Sequence, residues 1–316
     1  YSTDHLLWGL NPANGIFVRT NVTDANPRGD GWIRVPGKLA QVSAGVQSVW
    51  GVNLSGGVFC RTGIDTDHPR GIGWVQVPGT LEMVAVGEPG VVWGLNEAGG
   101  VFVRTGIDEQ TPEGTAWQKV PGTFDYISAG VGSVWAVAPD GSIHCRLGVS
   151  GSTPAGTEWR GVSGILSQVT NGEMGIMWGL NAIGGVFARM NVTEANPRGT
   201  HWDRVWGRLE QASAGFDLAW GVNPAGGIWY REGMSETDPI GSAWQRVPGT
   251  LRQVALGTAL TLAEAQSDAK SLTLSVKEVS ATETTGTTPL IADSGSQQTE
   301  PAESPATAGG GADTRE

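Results

Sequence analysis

Charge is scarce in this chain: only 16% of its 316 residues are Asp, Glu, Lys or Arg, against about 25% in ordinary domains. Basic charge is scarcer still, with 20 Lys and Arg against 31 Asp and Glu and a net charge of -11. That balance argues against attraction to nucleic acid or to anionic lipid. No apolar run approaches the roughly 18 residues of a membrane-spanning helix. The two cysteines, Cys60 and Cys145, are too few for a disulfide framework or a four-ligand metal site, so reduced thiols are expected. The first residue is Tyr1 and no basic segment followed by an apolar one opens the chain, so a secretion signal is expected to be absent or already removed.

Tryptophan and glycine, by contrast, are abundant, with 14 and 49 copies. Twelve of the tryptophans form two ladders: Trp8, Trp50, Trp93, Trp135, Trp178 and Trp220, then Trp32, Trp74, Trp117, Trp159, Trp202 and Trp244. Steps within a ladder alternate between 42 and 43 residues, and each second-ladder Trp follows its partner by 24. Six repeats result. In the third copy, apolar or β-branched runs at Val91–Leu95, Val101–Thr105, Trp117–Val120 and Phe124–Ser128 lie between Gly, Asn and Pro punctuation, which predicts four short strands per repeat. A unit of that length and strand content is a propeller blade. The fold expected is all-β, a six-bladed β-propeller of four-stranded antiparallel blades over residues 1–257.

The phase of the repeat also predicts how the ring closes. After Trp244 the pattern runs through Leu251–Gly257 and stops, while Leu6–Leu10 supplies the missing strand at the other end. Terminal segments that pair as neighbouring strands leave no exposed sheet edge. Residues 258–316 turn to Ala, Ser, Thr, Glu and Pro with a net charge of -6. A disordered acidic tail is expected there, with an O-glycosylated stalk as the alternative.

Several slots recur once per repeat. The ladder tryptophans are expected to pack the seams between blades. Trp229 stands where other copies have Phe, and packing is expected for it too. Trp206 takes the slot of Pro36, Pro78, Pro121 and Pro248, a turn position where exposure and stacking on a partner are expected. Arg19, Arg61, Arg104, Arg146, Arg189 and Arg231 occupy one slot; either each holds the long loop that follows it, or the six present donors to six ligands. Asn11, Asn53, Asn96, Asn181 and Asn223 recur at a hairpin position, with Ala138 in the fourth copy, and carry the same two readings. Pro27, Pro69, Pro112, Pro154, Pro197 and Pro239 each precede a Gly by two residues and fix the loop before the next Trp.

Gly63, Gly106, Gly148 and Gly233 share a slot with Asn21 and Asn191, an exchange that marks left-handed backbone. Asn21, Asn53 and Asn191 also head N-glycosylation sequons, which favours a secreted or cell-surface location over the cytoplasm. Catalysis has no support: His5, His68, His144 and His201 fall in unrelated repeat positions with no nucleophile or metal spacing. No cofactor and no metal are expected.

The combined pattern, with Trp50–Asn53 reading WGVN, Val101–Ile107 reading VFVRTGI, Pro112–Trp117 reading PEGTAW, Gln118–Gly122 reading QKVPG and Leu39–Gly45 reading LAQVSAG, resembles the tectonin repeat of the tectonin β-propeller family. That family includes tachylectin-1, fish egg lectins and large intracellular tectonin-repeat proteins. The resemblance spans residues 1–257 and implies multivalent binding of glycans or bacterial lipopolysaccharide-type ligands through loop Asn, Arg and Trp206. Its intracellular branch implies the alternative, an adaptor in autophagy or membrane traffic that takes a protein partner on the loop face. The long loops after Arg19 and Arg104 are similar to that branch. The chain departs from the pattern at Ala138, Ser163 and Trp206, and lacks the cysteines of secreted members.

Overall fold

The computed structural model describes residues 4–259, apart from 66–67, 173–174, 194, 216 and 236. Twenty-four strands form six separate four-stranded sheets, and no helix occurs among the described residues. Each sheet is a blade. We number blades from the amino terminus and strands from the ring centre outward. Blade 2 shows the plan: inner strand Gln41–Ala44, second strand Val49–Val52, third strand Gly57–Thr62 and outer strand Gly73–Thr80. All pairings are antiparallel.

Blade 1 is shared between the ends of the propeller. Its inner strand is Gln253–Ala259 and its second strand Asp4–Leu10, paired from Asp4 opposite Ala259 to Leu10 opposite Gln253. The expected closure is therefore present. The inner strand runs two residues past the expected boundary at 257, because Thr258 is also held by blade 2: Gln47 donates its amide to the Thr258 carbonyl, and Thr258 donates to Gly45. The expected disordered tail lies, from residue 260 onward, outside the described residues.

The second strands are buried on both faces and read as unbroken apolar runs, for instance Val49–Val52, as expected for a strand covered by blades on either side. The outer strands reach further than the alternation predicted. In blade 3 the strand spans Ala116–Thr123 rather than Trp117–Val120. Val120 pairs with Val101 and Thr123 with Gly100, so Pro121 and Gly122 are looped out as a β-bulge. The same register shift recurs in all six blades. The Pro slot, expected to be a turn, is thus a bulge inside a strand, where a missing N–H costs no ladder bond.

At the centre, inner strands are laced to one another by side chains. Gln41 clamps the backbone of Val84 in the next blade, its Oε1 accepting from the amide at 3.0 Å and its Nε2 donating to the carbonyl at 2.9 Å. Gln253 does the same to Val42, and Gln211 to Val254. A second layer uses hydroxyls: Ser43 accepts from the amide of Val86, Ser128 from Asn171 and Ser213 from Leu256. Between blades 3 and 4 these slots hold Met83 and Ala85, and no such clamp forms.

A third layer closes the channel with glycine. A Cβ on Gly45 would stand 2.3 Å from the Gly87 carbonyl, and one on Gly257 2.3 Å from the Gly45 carbonyl. Cavities of about 50 and 30 Å³ lie along the axis, and a larger one of about 380 Å³ lies where the inner strands begin, lined by Gln41, Met83, Tyr126, Gln211 and Gln253 among others. The glycine layer packs the far end of the channel, and the wider space is confined to the end where the inner strands start.

Candidate functional site at the rim clefts

Each seam between blades is built from three residues. A first-ladder Trp meets the second-ladder Trp of the following blade edge to face: Trp8 with Trp74, Trp50 with Trp117, Trp93 with Trp159, Trp135 with Trp202, Trp178 with Trp244 and Trp220 with Trp32, at centroid distances of 5.6–6.3 Å. The recurrent Arg of the following blade then lies over its own second-ladder Trp, 5.2–5.8 Å from the ring centroid. Such stacks combine apolar burial with cation–π attraction. The six first-ladder rings are wholly buried.

The six arginines are 3–8% exposed. Arg61 donates from Nε to the carbonyl of Arg70, and Arg19, Arg104, Arg146, Arg189 and Arg231 each do the same nine residues ahead, at 2.5–2.9 Å. The acceptor always lies between the recurrent Pro and Gly of the long loop. A Cβ on that Gly would stand 2.7 Å from the Thr20 carbonyl in blade 1, and its φ of +63° is left-handed. Loop shape therefore follows from one arginine fork and one glycine. Desolvation lowers each guanidinium's pKa from its ordinary value.

The five recurrent asparagines sit at the opposite end of the third strand from the arginines. Asn11 Oδ1 accepts from the amides of Ala13 and Gly15, Asn53 from Ser55 and Gly57, Asn96 from Gly100, Asn181 from Ile183 and Gly185, and Asn223 from Ala225 and Gly227. In the fourth blade, Asp140 supplies the equivalent bond to Ser142. Within one blade the structure does not bring the Asn and Arg slots together. Asn21 and Asn191 adopt φ values of +53° and +55°, the left-handed backbone expected of their slot. Both are exposed, with Asn21 Nδ2 donating to Asp30 and Asn191 Nδ2 to Thr200.

What the fold does bring together is the bulge of one blade and the long loop of the next. At four of the six seams the second-ladder indole donates to the carbonyl of the preceding blade's bulge: Trp117 to Pro78, Trp159 to Pro121, Trp202 to Ser163 and Trp244 to Trp206, at 2.8–2.9 Å, whereas the Trp32 and Trp74 indole nitrogens make no hydrogen bond. A carbonyl serves whatever the side chain, which is why Ser163 and Trp206 can replace Pro. At the junction of blades 6 and 1 the bulge and the long loop line a rim cleft of about 570 Å³, formed by Pro248, Trp32, Arg19, Asn26, Arg28 and Asp30. Asp30 is fixed there by the amides of Asn21 and Asn26, at 3.1 and 3.0 Å. Repeat spacing did not mark Asn26, Arg28 or Asp30, because specificity residues of a loop vary between its fixed points.

Trp206 is the bulge residue of blade 5 and 83% exposed. Its side chain takes the place that Pro248 has at the next seam. A cavity of about 270 Å³ adjoins its bulge, lined by Ile183, Gly185, Arg204, Gly207 and Arg208, and Ile183 is itself exposed. Trp229 instead packs half-buried against the apolar core of blades 5 and 6. Cys60 and Cys145 are free and buried, and burial pushes both thiols up to about 12. No helix of the described residues is long and apolar enough to cross a membrane.

A closed ring of six four-stranded blades built from one recurring unit is a repeat-built β-propeller. The Tectonin domain model matches residues 2–124, 115–210 and 200–288, and the chain belongs to the tectonin family. No curated protein matches it in sequence. Among solved structures it is similar to yeast RCC1 (Prp20) bound to Kap60, at 13% identity and a TM-score of 0.49 over 84% of this chain and 81% of that one. It is also similar to human WBSCR16, at 12% identity and a TM-score of 0.46 over 78% and 94%, and to YCF48 from Cyanidioschyzon merolae, at 15% and 0.44 over 78% and 86%. Likeness at this level carries no inference about ligand or partner.

Proposed function

We propose that the ring is a multivalent lectin whose rim clefts bind repetitive glycans or microbial surface polysaccharide. The observation that carries the reading is Trp206, an aromatic face left open to solvent on a bulge flanked by Arg204 and Arg208. An exposed ring offers a flat apolar platform for a sugar's C–H face, and neighbouring cations and amides supply donors for its hydroxyls. The cleft of Trp32, Asn26, Arg28 and Asp30 offers the same mixture at another seam. In this reading the buried arginines and the hairpin asparagines set the shape of loop and turn, while ligand contact falls to the residues around them. Weak sites repeated around one ring gain avidity when a polymer engages several together.

The exposed pair Trp206 and Ile183 supports a second reading, since an aromatic beside an aliphatic is also the chemistry of a protein contact. One experiment separates the two: the full chain on a glycan and bacterial-polysaccharide array, with free sugar as competitor and Trp206→Ala alongside. Competable binding that falls tenfold or more in the variant supports the lectin. Silence across the array overturns it and turns the search to a protein partner through Trp206 and Ile183.

A further inference from the structure

The junction of blade 6 with blade 1, the blade within which the chain closes on itself, holds a histidine unlike the other three. His5 lies on the second strand of blade 1, opposite Thr258 in the closing pair, and is 5% exposed. Neither ring nitrogen makes a hydrogen bond. Its Nε2 points between two carboxylates, 3.6 Å from Asp24 Oδ1 and 3.4 Å from Asp217 Oδ1. The three ligand atoms all lie within 4.8 Å of one another, and the Asp217 oxygen is itself buried without a hydrogen bond.

These separations discriminate between two chemistries. An imidazolium paired with carboxylates draws up to about 2.7–2.9 Å. Ligand atoms on a tetrahedral ion with bonds of about 2.0–2.1 Å stand about 3.3–3.4 Å apart along each edge. The 3.4 Å gap from His5 to Asp217 has the second length and the 3.6 Å gap to Asp24 exceeds it slightly, while both are well beyond the first. Two carboxylates also match the charge of a divalent ion, and a neutral imidazole beside oxygen donors suits zinc or a neighbouring transition metal rather than calcium or magnesium.

We propose that His5, Asp24 and Asp217 form a three-ligand site for a divalent transition metal, zinc in the first place, with its fourth position open to water. The site ties three parts of the chain across the seam between blades 6 and 1: the second strand of blade 1, its long loop, and the hairpin between Ala214 and Ala219 of blade 6. His5 and Asp217 occupy the same repeat slot, three residues before Trp8 and Trp220. The other four copies hold Gln47, Gly90, Gly132 and Gly175 there. Only at this seam does the slot carry ligands in two adjacent blades, so the ring is expected to hold one ion rather than six. An ion bound to the folded ring alone stabilises it by mass action.

The test uses the full, tag-free chain stripped with EDTA and titrated with zinc chloride, and with cobalt chloride as a visible probe. The expected result is one ion per chain, tetrahedral cobalt absorption, and a Tm rise of about 5–10 °C at a hundredfold excess over Kd. His5→Gln and Asp217→Asn are expected to weaken binding at least tenfold while melting as cooperatively as the stripped parent. His68→Gln, at the exposed pair with Asp65, is expected to bind as the parent does. Should His5→Gln fail to fold, Asp217→Asn decides alone. The proposal is overturned if the parent takes up no stoichiometric zinc, or if folded Asp217→Asn binds zinc and cobalt as the parent does.

Discussion

At each seam a single arginine fork determines whether the long loop stays closed over the tryptophan stack. Arg104 donates to Glu113 and Gly114 and lies over Trp117. A lysine keeps the charge but neither the fork nor the planar stacking. Arg104→Lys is expected to cost about 1–3 kcal/mol in urea unfolding, whereas the same change at exposed Arg34 should stay within about 0.5 kcal/mol. The buried thiols make a second residue-scale prediction. With both pushed up to about 12, neither forms thiolate near neutral pH, so native protein should react with a thiol reagent at pH 8 only as fast as it unfolds. Both thiols should appear at once in guanidinium.

Glu88 gives a pH prediction. Burial raises its pKa above 4.5, partly opposed by the Gly151 amide, and its Oε1 is buried with no partner. The folded state therefore holds the proton more tightly than the unfolded chain. Its favourable contribution is complete below pH 4.5 and is lost as pH rises through the folded value. Glu88→Gln keeps the neutral form at all pH, so it should raise Tm at pH 7 and leave it unchanged at pH 4. A Tm difference that is the same at both pH values would refute this account.

At the scale of elements, the inner strands carry the specificity of the ring. They are four residues long in five of the six blades, too short to be held by their own ladder alone. The glutamine and hydroxyl clamps satisfy backbone groups that would otherwise face the channel. Gln41→Leu should leave the amide and carbonyl of Val84 unpaired and cost about 2–4 kcal/mol in urea unfolding. Met83→Leu at the unclamped seam should cost less than about 1.5 kcal/mol. Strand existence was legible in the repeat, because alternation and Gly punctuation are local. The bulge was not. Val-Pro-Gly reads as a turn unless one knows that the following Thr returns to pair with the third strand.

At the scale of the molecule, closure by opposite ends makes the ring one cooperative body. Asp4 and Ala259 are register partners, so a short linker can join them. A circular permutant opened between Glu109 and Gln110, both exposed in a long loop, should melt in one transition near that of the parent. Deleting residues 1–10 removes the second strand of blade 1 and leaves its inner strand unpaired on that side, so the transition should be lost. Calorimetry of both proteins checks the pair of outcomes.

Blade number, strand content and closing pair follow from the chain alone, because a repeat records its own geometry at fixed spacing and each strand signal spans only a few residues. The family followed from the same pattern. The meetings between residues of different copies, or between a side chain and a distant carbonyl, were decided only by tertiary structure: Trp8 against Trp74, the indole of Trp244 on the carbonyl of Trp206, Gln41 on Val84, and His5 between Asp24 and Asp217. Such contacts depend on how far each blade is turned against the next. Local periodicity carries no record of that angle, and so the slots were visible in the sequence while their partners were not.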